Sequence, residues 1–200
     1  MSNINKHIKG VITMYLEKDI EDFYQIKQLL KDNETHIDGN SLTVNIDNER
    51  EIFLFENEVI INLQRLSDID NYKPLIEDII NINCDNCNKV NSIDFEVITL
   101  HNLGQDNCLE LFKGTEEDEK EGILFTGYTL FIADSKERPC VVEVSPMFEE
   151  ENLFYTKFLS KYNIDNKGNN EIFELIEFVD EYLNDDFSNK VHNFIKRRNN

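Results

Sequence analysis

The spacing of apolar residues changes along this chain, and that change constrains the fold more than any other feature. From residue 8 to residue 31, Ile8, Val11 and Ile12 begin a series with spacings near 3.6, which predicts an amphipathic N-terminal helix. Short runs rich in β-branched and aromatic residues then predict an antiparallel β-meander over Ser41–Ile46, Glu51–Phe55 and Val59–Leu63. Turn-forming residues separate these runs at the length of hairpin loops.

The remainder of the chain repeats the change from strands to helices. A short helix is predicted from Asp70 to Asn83, with Pro74 tolerated in its first turn. A second strand set is predicted over Ile93–His101, Leu109–Lys113, Ile123–Ala133 and Pro139–Val144. C-terminal helices are predicted at about 148–162, 171–184 and 187–197. Because strands are grouped apart from helices, we expect an α+β fold: N-terminal helix, antiparallel β-meander, short helix, second antiparallel strand set and C-terminal helices.

The length of 200 residues fits one domain, and we predict a single domain over residues 1–200. An Asn-rich connector near 84–91 is the best candidate for an internal boundary, which would separate 1–83 from 92–200. Hydrophobic residues make up 40% of the chain, and 14 of them are Phe. This supplies enough apolar mass for a core, so the high charge does not indicate disorder.

The N-terminal segment lacks the features of an exported protein. The apolar run from Val11 to Leu16 is short, Thr13 interrupts it, and no small-residue cleavage site follows. No stretch approaches the ~20 apolar residues of a membrane span. We therefore expect a soluble cytoplasmic protein with reduced cysteines. The abundance of Asn, Ile and Lys is typical of an AT-rich genome, such as that of a low-GC bacterium or its phages.

Acidic residues outnumber basic residues by forty to twenty, which gives a formal net charge of −20. A small domain needs a net charge of only ~2–8 for solubility. Direct binding of nucleic acid is disfavoured, because phosphate contacts require Lys and Arg. A strongly negative surface instead favours fast, steered association with a basic partner.

The acidic residues are concentrated in a loop near 116–121 and in the segment from Glu143 to Asp186. That segment contains twelve acidic residues and only three lysines. On a helix beginning at 171, the acids recur at spacings that place them on one stripe, opposite the apolar residues. The predicted partner-binding residues are Glu116, Glu117, Asp118, Glu119, Glu149, Glu150, Glu151, Glu174, Glu177 and Glu181.

Only one motif has the spacing of a metal or redox site. Cys84 and Cys87 form a CxxC pair, which could supply half of a tetrahedral zinc site. No second CxxC occurs, so Cys108, Cys140 or His101 would have to complete the site. We predict structural cysteines and no metal or other cofactor, with Cys84 and Cys87 as the weak zinc candidates.

Catalytic motifs are missing from the sequence. It contains no GxSxG, HExxH or GxGxxG pattern, and none of the four histidines has a nearby partner typical of a general base. His101, at the end of a predicted strand, is the histidine most worth examining, and we expect it to be structural. We therefore assign no catalytic residue.

These features predict a binding protein that inhibits or neutralises a basic protein, such as a nuclease or another nucleic-acid-binding enzyme. An immunity or antitoxin-like protein and a phage inhibitor of a defence enzyme both fit this prediction. Two alternatives remain. The predicted helix–meander–helix order resembles that of small acidic secretion-type chaperones, which are dimeric, so a homodimer stays open. The other alternative is a small enzyme whose site is assembled across the fold.

Overall fold

The computed structural model describes residues 6–31, 33–47, 50–82, 90–102, 108–114, 120–121, 125–134, 136–150, 152–164 and 169–197. Within these residues, nine strands form one sheet with the order β2-β3-β4-β5-β1-β6-β9-β8-β7. The strands are β1 (Lys6–Leu16), β2 (Glu34–Asp38), β3 (Ser41–Asp47), β4 (Arg50–Leu54), β5 (Glu58–Leu63), β6 (Val90–Asn102), β7 (Tyr128–Ala133), β8 (Pro139–Pro146) and β9 (Leu153–Asn163).

The helices stand between and after these strands. They are α1 (Phe23–Leu29), a 3₁₀ helix (Leu66–Tyr72), α2 (Lys73–Ile82), α3 (Cys108–Leu111), α4 (Asn169–Tyr182), a π-helical segment (Leu183–Phe187) and α5 (Ser188–Arg197). One order of elements occurs twice along the chain: a long strand, a helix, an antiparallel meander and a helix. The first meander has four strands, β2 to β5, and the second has three, β7 to β9.

The chain divides into two compact units, which share β1, β6, β9 and α4. One unit comprises residues 9–96 and 161–178. In it, β1 pairs antiparallel with β5, which places Ile12 opposite Ile61, and both side chains are fully buried. Asp22 caps α1 by accepting hydrogen bonds from the backbone N–H groups of Tyr24 and Gln25.

The other unit comprises residues 1–8, 97–160 and 179–200. Its strands β7, β8 and β9 pair antiparallel in sequence order, and alternate residues of β8 and β9 are buried. Helix α5 buries Val191, His192 and Ile195. Gly127 precedes β7 where a Cβ atom would lie 2.9 Å from the carbonyl oxygen of Val144, so this close approach requires glycine.

The predicted fold class is wrong, because the described chain is predominantly a nine-stranded sheet. Residues 8–31 were predicted to be one helix, but β1 occupies most of the first half and α1 is short. The apolar residues of β1 fit the period of a helix as well as the period of a strand. Ile12, Met14 and Leu16 are buried on one face at a spacing of two residues, while Val11 and Tyr15 on the other face are half-buried. A helix–meander–helix order does occur in α1, β2–β5 and α2, but it follows β1 and does not begin with the predicted N-terminal helix.

Two further segments differ from the prediction. Residues 148–162 were predicted to be a helix, but β9 occupies Leu153–Asn163. Leu109–Lys113 was predicted to be a strand, but Cys108–Leu111 is helical. The predicted meander strands agree with β3, β4 and β5, and the predicted helices 171–184 and 187–197 agree with α4 and α5 in position. Among the described residues, no helix is long and apolar enough to cross a membrane.

Candidate functional site

Helix α4 separates its apolar and acidic residues onto opposite sides. Ile172, Ile176 and Val179 are at most 2% exposed, because they pack into the core. The carboxylate-bearing residues Glu174, Glu177 and Glu181 are all exposed. Their spacings of three and four residues place them on one side of the helix. We call these three residues the acidic stripe.

The acidic stripe lacks cationic partners within the part of the chain that the structure describes. Ion pairs of that part that involve other carboxylates include Asp47 with Arg50, Asp94 with Lys161 and Asp134 with Arg138, and Asp180 Oδ1 lies 3.9 Å from His7 Nδ1. The three carboxylates are therefore exposed and form no ion pair within the described residues, and Lys73 Nζ lies 4.6 Å from the ring centroid of Phe173 on the same helix. A basic surface could approach the stripe without first breaking an ion pair.

A second group of predicted residues lies in the turn between β8 and β9. Glu149 and Glu150 are exposed there. The backbone N–H of Leu153 donates to the carbonyl oxygen of Glu150 at 2.9 Å, and the N–H of Met147 donates to the carbonyl oxygen of Leu153 at 3.1 Å. These bonds connect the two strands across the turn, and Glu149 and Glu150 lie on its exposed side.

Several predicted residues fall outside the described residues, and the structure gives no account of them. They are Glu116, Glu117, Asp118, Glu119, Glu151, Cys84 and Cys87. Of the other cysteines, Cys140 is buried, and its thiol donates to the carbonyl oxygen of Arg138. The described residues contain no group of three or more His, Cys, Asp or Glu side chains arranged to hold a metal ion.

His101 lies in the core of its unit, in an arrangement that the sequence did not indicate. Its ring stacks on Phe154, with centroids 4.7 Å apart, and its Nε2 atom lies 2.9 Å from the Oγ1 atom of Thr156. The edge of His192 approaches it at 5.4 Å, and Phe187 lies at 6.2 Å. We call His101, His192, Phe154 and Phe187 the buried histidine cluster.

The environment of the buried histidine cluster keeps its imidazoles neutral. Burial, reinforced by His192 and His7, lowers the pKa of His101 to about 3. Burial and the nearby Lys196 lower the pKa of His192. His101 has no solvent-exposed surface, so no substrate in solution can reach it in this conformation. The cluster therefore acts as a packing element of the core, and His101 is not placed as a general base.

A polar cluster in the other unit was not predicted. The hydroxyl of Tyr15 donates to Asp94 at 3.3 Å, and Lys161 Nζ lies 3.4 Å from the other carboxylate oxygen of Asp94. The same Nζ atom lies 4.5 Å from the centroid of the Tyr15 ring. Burial, together with Asp94 and Glu58, raises the pKa of Tyr15, so the phenol keeps its proton.

The properties of this polar cluster fit a structural role on the sheet and not a catalytic one. A phenol with a raised pKa is a weak proton donor at neutral pH, and Asp94 is already paired with Lys161. The three residues come from β1, β6 and β9, which are far apart in sequence. No motif or spacing could have indicated that they meet.

Comparison with known proteins does not assign the chain to a family. No protein-family model matches the sequence, and no curated protein is significantly similar to it.

Proposed function

We propose that this protein acts by binding a basic protein partner, which it inhibits or neutralises. The observation that carries the proposal is the acidic stripe of α4, in a chain whose net charge is −20. Its three exposed carboxylates lie on a helix whose opposite side is fixed in the core. They would therefore meet a partner as a rigid, negatively charged surface.

The acidic stripe weakens the helix that carries it, which favours a role outside the fold. Glu174 and Glu177 are separated by three residues, and Glu177 and Glu181 by four. Each like-charged pair at these spacings destabilises a helix by about 0.2–0.5 kcal/mol. The net charge adds repulsion over the whole molecule. Steered association with a basic surface would offset these costs.

Enzymes that handle nucleic acids are the partners that this surface fits best. Such enzymes bind phosphates through clusters of Lys and Arg. A row of carboxylates on a rigid helix could occupy the same cluster and so compete with the nucleic acid. An immunity or antitoxin-like protein and a phage inhibitor of a defence enzyme would both work in this way.

The proposal is tested by reversing the charge of the acidic stripe. Full-length wild type and the variant Glu174→Lys/Glu177→Lys/Glu181→Lys are immobilised and exposed to host lysate at low salt. A protein retained by the wild type alone is then purified, and its association rate and enzymatic activity are measured. We expect the reversal to slow association at least about tenfold, because steering contributes 10- to 1000-fold to such rates. The wild-type chain should inhibit the partner's activity.

The control has the same change in net charge at another place. Glu17, Asp19 and Glu21 are exposed acids in the connection between β1 and α1. The variant Glu17→Lys/Asp19→Lys/Glu21→Lys should keep most of the association rate. If both variants slow association equally, only the total charge matters and the stripe is not the contact. If association is indifferent to salt and to both variants, the proposed function is wrong.

A further inference from the structure

The strands of the first meander have one buried face and one open face. Alternate positions of β3, β4 and β5 are fully buried, at Leu42, Val44, Ile52, Leu54, Val59 and Ile61. The positions between them are half-buried. Because neighbouring residues of a strand point to opposite faces, the half-buried positions form a second face. We call it the open face.

The strand registers align one row of side chains across the open face. Thr13 pairs with Ile60, and Ile60 pairs with Phe53. Phe53 pairs with Thr43, which in turn pairs with His36. Residues directly opposite in an antiparallel pair share a face, so these five side chains lie side by side. We call them the central row, and its middle positions are the apolar residues Ile60 and Phe53.

Carboxylates lie on both sides of the central row. Glu51 and Glu34 lie on one side, where the register connects them through Asn45. Glu58 and Asp38 lie on the other side, two residues along their strands from members of the central row. Glu34 and Asp38 are exposed, and Glu51 and Glu58 are half-buried. We call these four residues the flanking carboxylates.

The charge of the open face is negative around an apolar centre. Within the described residues, none of the flanking carboxylates forms an ion pair. The central row and the positions on either side of it contain no Lys or Arg. At the β1 end, Lys161 lies over the ring of Tyr15, but it is already paired with Asp94. Cationic side chains of a partner could therefore reach the flanking carboxylates without displacing a cation of this chain.

We propose that the open face binds an amphipathic helix of a partner protein, with apolar residues on the central row and Lys or Arg on both flanks. The flanking carboxylates stand about 13 Å apart across the central row, at ~3.3 Å per residue along the strands. A helix with its side chains is about 10–12 Å wide, so its two flanks would lie beside them. Five strands at a spacing of ~4.8 Å give the row a length of about 19 Å, which ~13 helical residues span.

The same features disfavour other occupants of the open face. A second copy of this chain would bring its own flanking carboxylates against these, and the phosphates of a nucleic acid would be repelled in the same way. An added strand needs the backbone of a sheet edge, whereas the central row crosses strands that are paired with one another. The proposal goes beyond the proposed function, because it concerns the strands of the first meander and not the acidic stripe of α4.

A synthetic peptide of leucine and lysine, about 14 residues long, is the probe. Its order places all the leucines on one side of a helix, and a control peptide of the same composition spreads them around the helix. Isothermal titration calorimetry measures the binding of both peptides to the full chain at low salt. The first peptide should bind at least about tenfold more tightly, because burying a single leucine side chain contributes more than the free energy of a tenfold change.

Two variants place the peptide on the open face. Glu51→Lys/Glu58→Lys reverses one carboxylate on each side of the central row, and it should weaken binding at least about tenfold because attraction becomes repulsion. Its matched control, Asp70→Lys/Asp78→Lys, makes the same change in net charge at exposed positions of the helices and should keep most of the binding. Phe53→Thr should weaken binding through the loss of apolar contact, whereas Phe131→Thr, which changes an exposed phenylalanine of β7, should not.

Urea unfolding shows that each variant is folded before it is compared. Equal binding of the two peptides overturns the proposal, and so does binding that Glu51→Lys/Glu58→Lys leaves unchanged. If Glu174→Lys/Glu177→Lys is the variant that loses the peptide, the acidic stripe is the site and the open face is not. A wild-type chain that forms dimers in sedimentation equilibrium, and loses them in Phe53→Thr, assigns the open face to a second copy instead. None of these results decides whether the acidic stripe steers an inhibited partner, so the proposed function is tested separately.

Discussion

The imidazole ring of His101 and the phenyl ring of Phe154 stack with their planes only 9° apart. Both side chains are buried, and the hydroxyl of Thr156, two residues beyond Phe154, lies within hydrogen-bond distance of His101. The strand β9 therefore offers the imidazole an aromatic surface and a hydroxyl group as a polar partner. A neutral ring fits this environment, whereas a charged ring would lose its hydration there.

This arrangement predicts that the fold loses stability in mild acid. The pKa of His101 falls from 6.5 to about 3 in the folded state, so the unfolded chain takes up the proton first as the pH decreases. Stability contributed by the neutral ring is complete above pH 6.5 and is lost as the pH falls towards 3. Each such proton changes the free energy of unfolding by up to about 1.4 kcal/mol per pH unit. Urea unfolding at pH 7, 6 and 5 measures this slope.

Two variants separate His101 from the carboxylates, which also begin to titrate near pH 5. His101→Phe should reduce the slope between pH 7 and pH 5, even if it lowers stability at pH 7. His36→Phe changes an exposed histidine of β2 and should leave the slope unchanged. Equal slopes in the wild type and His101→Phe would show that His101 is not the group that responds to acid.

The two sides of α4 should respond very differently to truncation. Ile176 is fully buried, so Ile176→Ala should lower the free energy of unfolding by about 2–5 kcal/mol through lost burial and an internal cavity. Glu177 is its exposed neighbour, and Glu177→Ala removes two like-charged pairs, so it should leave stability nearly unchanged or raise it by up to about 1 kcal/mol. Urea unfolding of the two variants checks both values. A large loss in Glu177→Ala would mean that the acidic stripe supports the fold.

Secondary structure could be predicted from the sequence where the apolar residues follow only one period, either that of a strand or that of a helix. Strands β3, β4 and β5 alternate cleanly, and α4 and α5 show helical periodicity, so these elements were placed correctly. Strand β1 could not be placed, because apolar residues occupy both of its faces. Ile8, Val11 and Ile12 therefore fit a helix as well as they fit a strand.

Strand β9 was missed for a different reason. From Phe154 onward its buried positions alternate, but two of them are the hydroxyl residues Thr156 and Ser160. Thr156 is buried because it meets His101, which lies 55 residues earlier in the chain. Which residues of β9 face the core therefore depends on a contact with a residue far away in sequence, and the spacing of apolar residues alone could not reveal it.

Of the candidate site, only those features that depend on residues close together in sequence could be predicted. The exposure of Glu174, Glu177 and Glu181 follows from helical periodicity, because each lies opposite the apolar side of α4. Their role in binding stays a prediction. The central row of the open face depends on strand order across the sheet, which no local pattern in the sequence specifies.

The turn between β7 and β8 offers a stabilising substitution. Glu137 has a φ of 61°, and it is the only residue other than glycine with a positive φ among those described. This conformation costs about 1–2 kcal/mol for a residue with a Cβ atom, whereas glycine adopts it freely but loses more entropy on folding. Glu137→Gly should therefore raise the unfolding free energy by up to about 1 kcal/mol. Lys136→Gly, in the same turn at negative φ, should lower it, and equal effects would contradict the assignment of strain.

The carboxylate of Asp134 should stabilise the same turn. Its Oδ1 atom accepts from the backbone N–H groups of Lys136 and Arg138, at 2.8 and 2.9 Å, and its Oδ2 atom lies 2.7 Å from Arg138 Nε. Burial alone would raise the pKa of Asp134, but these bonds and the Arg138 charge outweigh it and lower the pKa. Asp134→Ala leaves the three donors without this acceptor, so it should cost about 1–3 kcal/mol of unfolding free energy.

The pH dependence of that loss distinguishes the carboxylate from simple packing. Because the folded pKa of Asp134 is lowered, its contribution is complete above the unfolded value of 3.8 and disappears as the pH falls through the folded pKa. The difference in stability between wild type and Asp134→Ala, measured by thermal unfolding, should therefore shrink below about pH 4. Glu143→Ala removes an exposed carboxylate of β8 and should have little effect at any pH. A difference between wild type and Asp134→Ala that stays constant down to pH 2 would mean that side-chain volume, and not the charged hydrogen bonds, stabilises the turn.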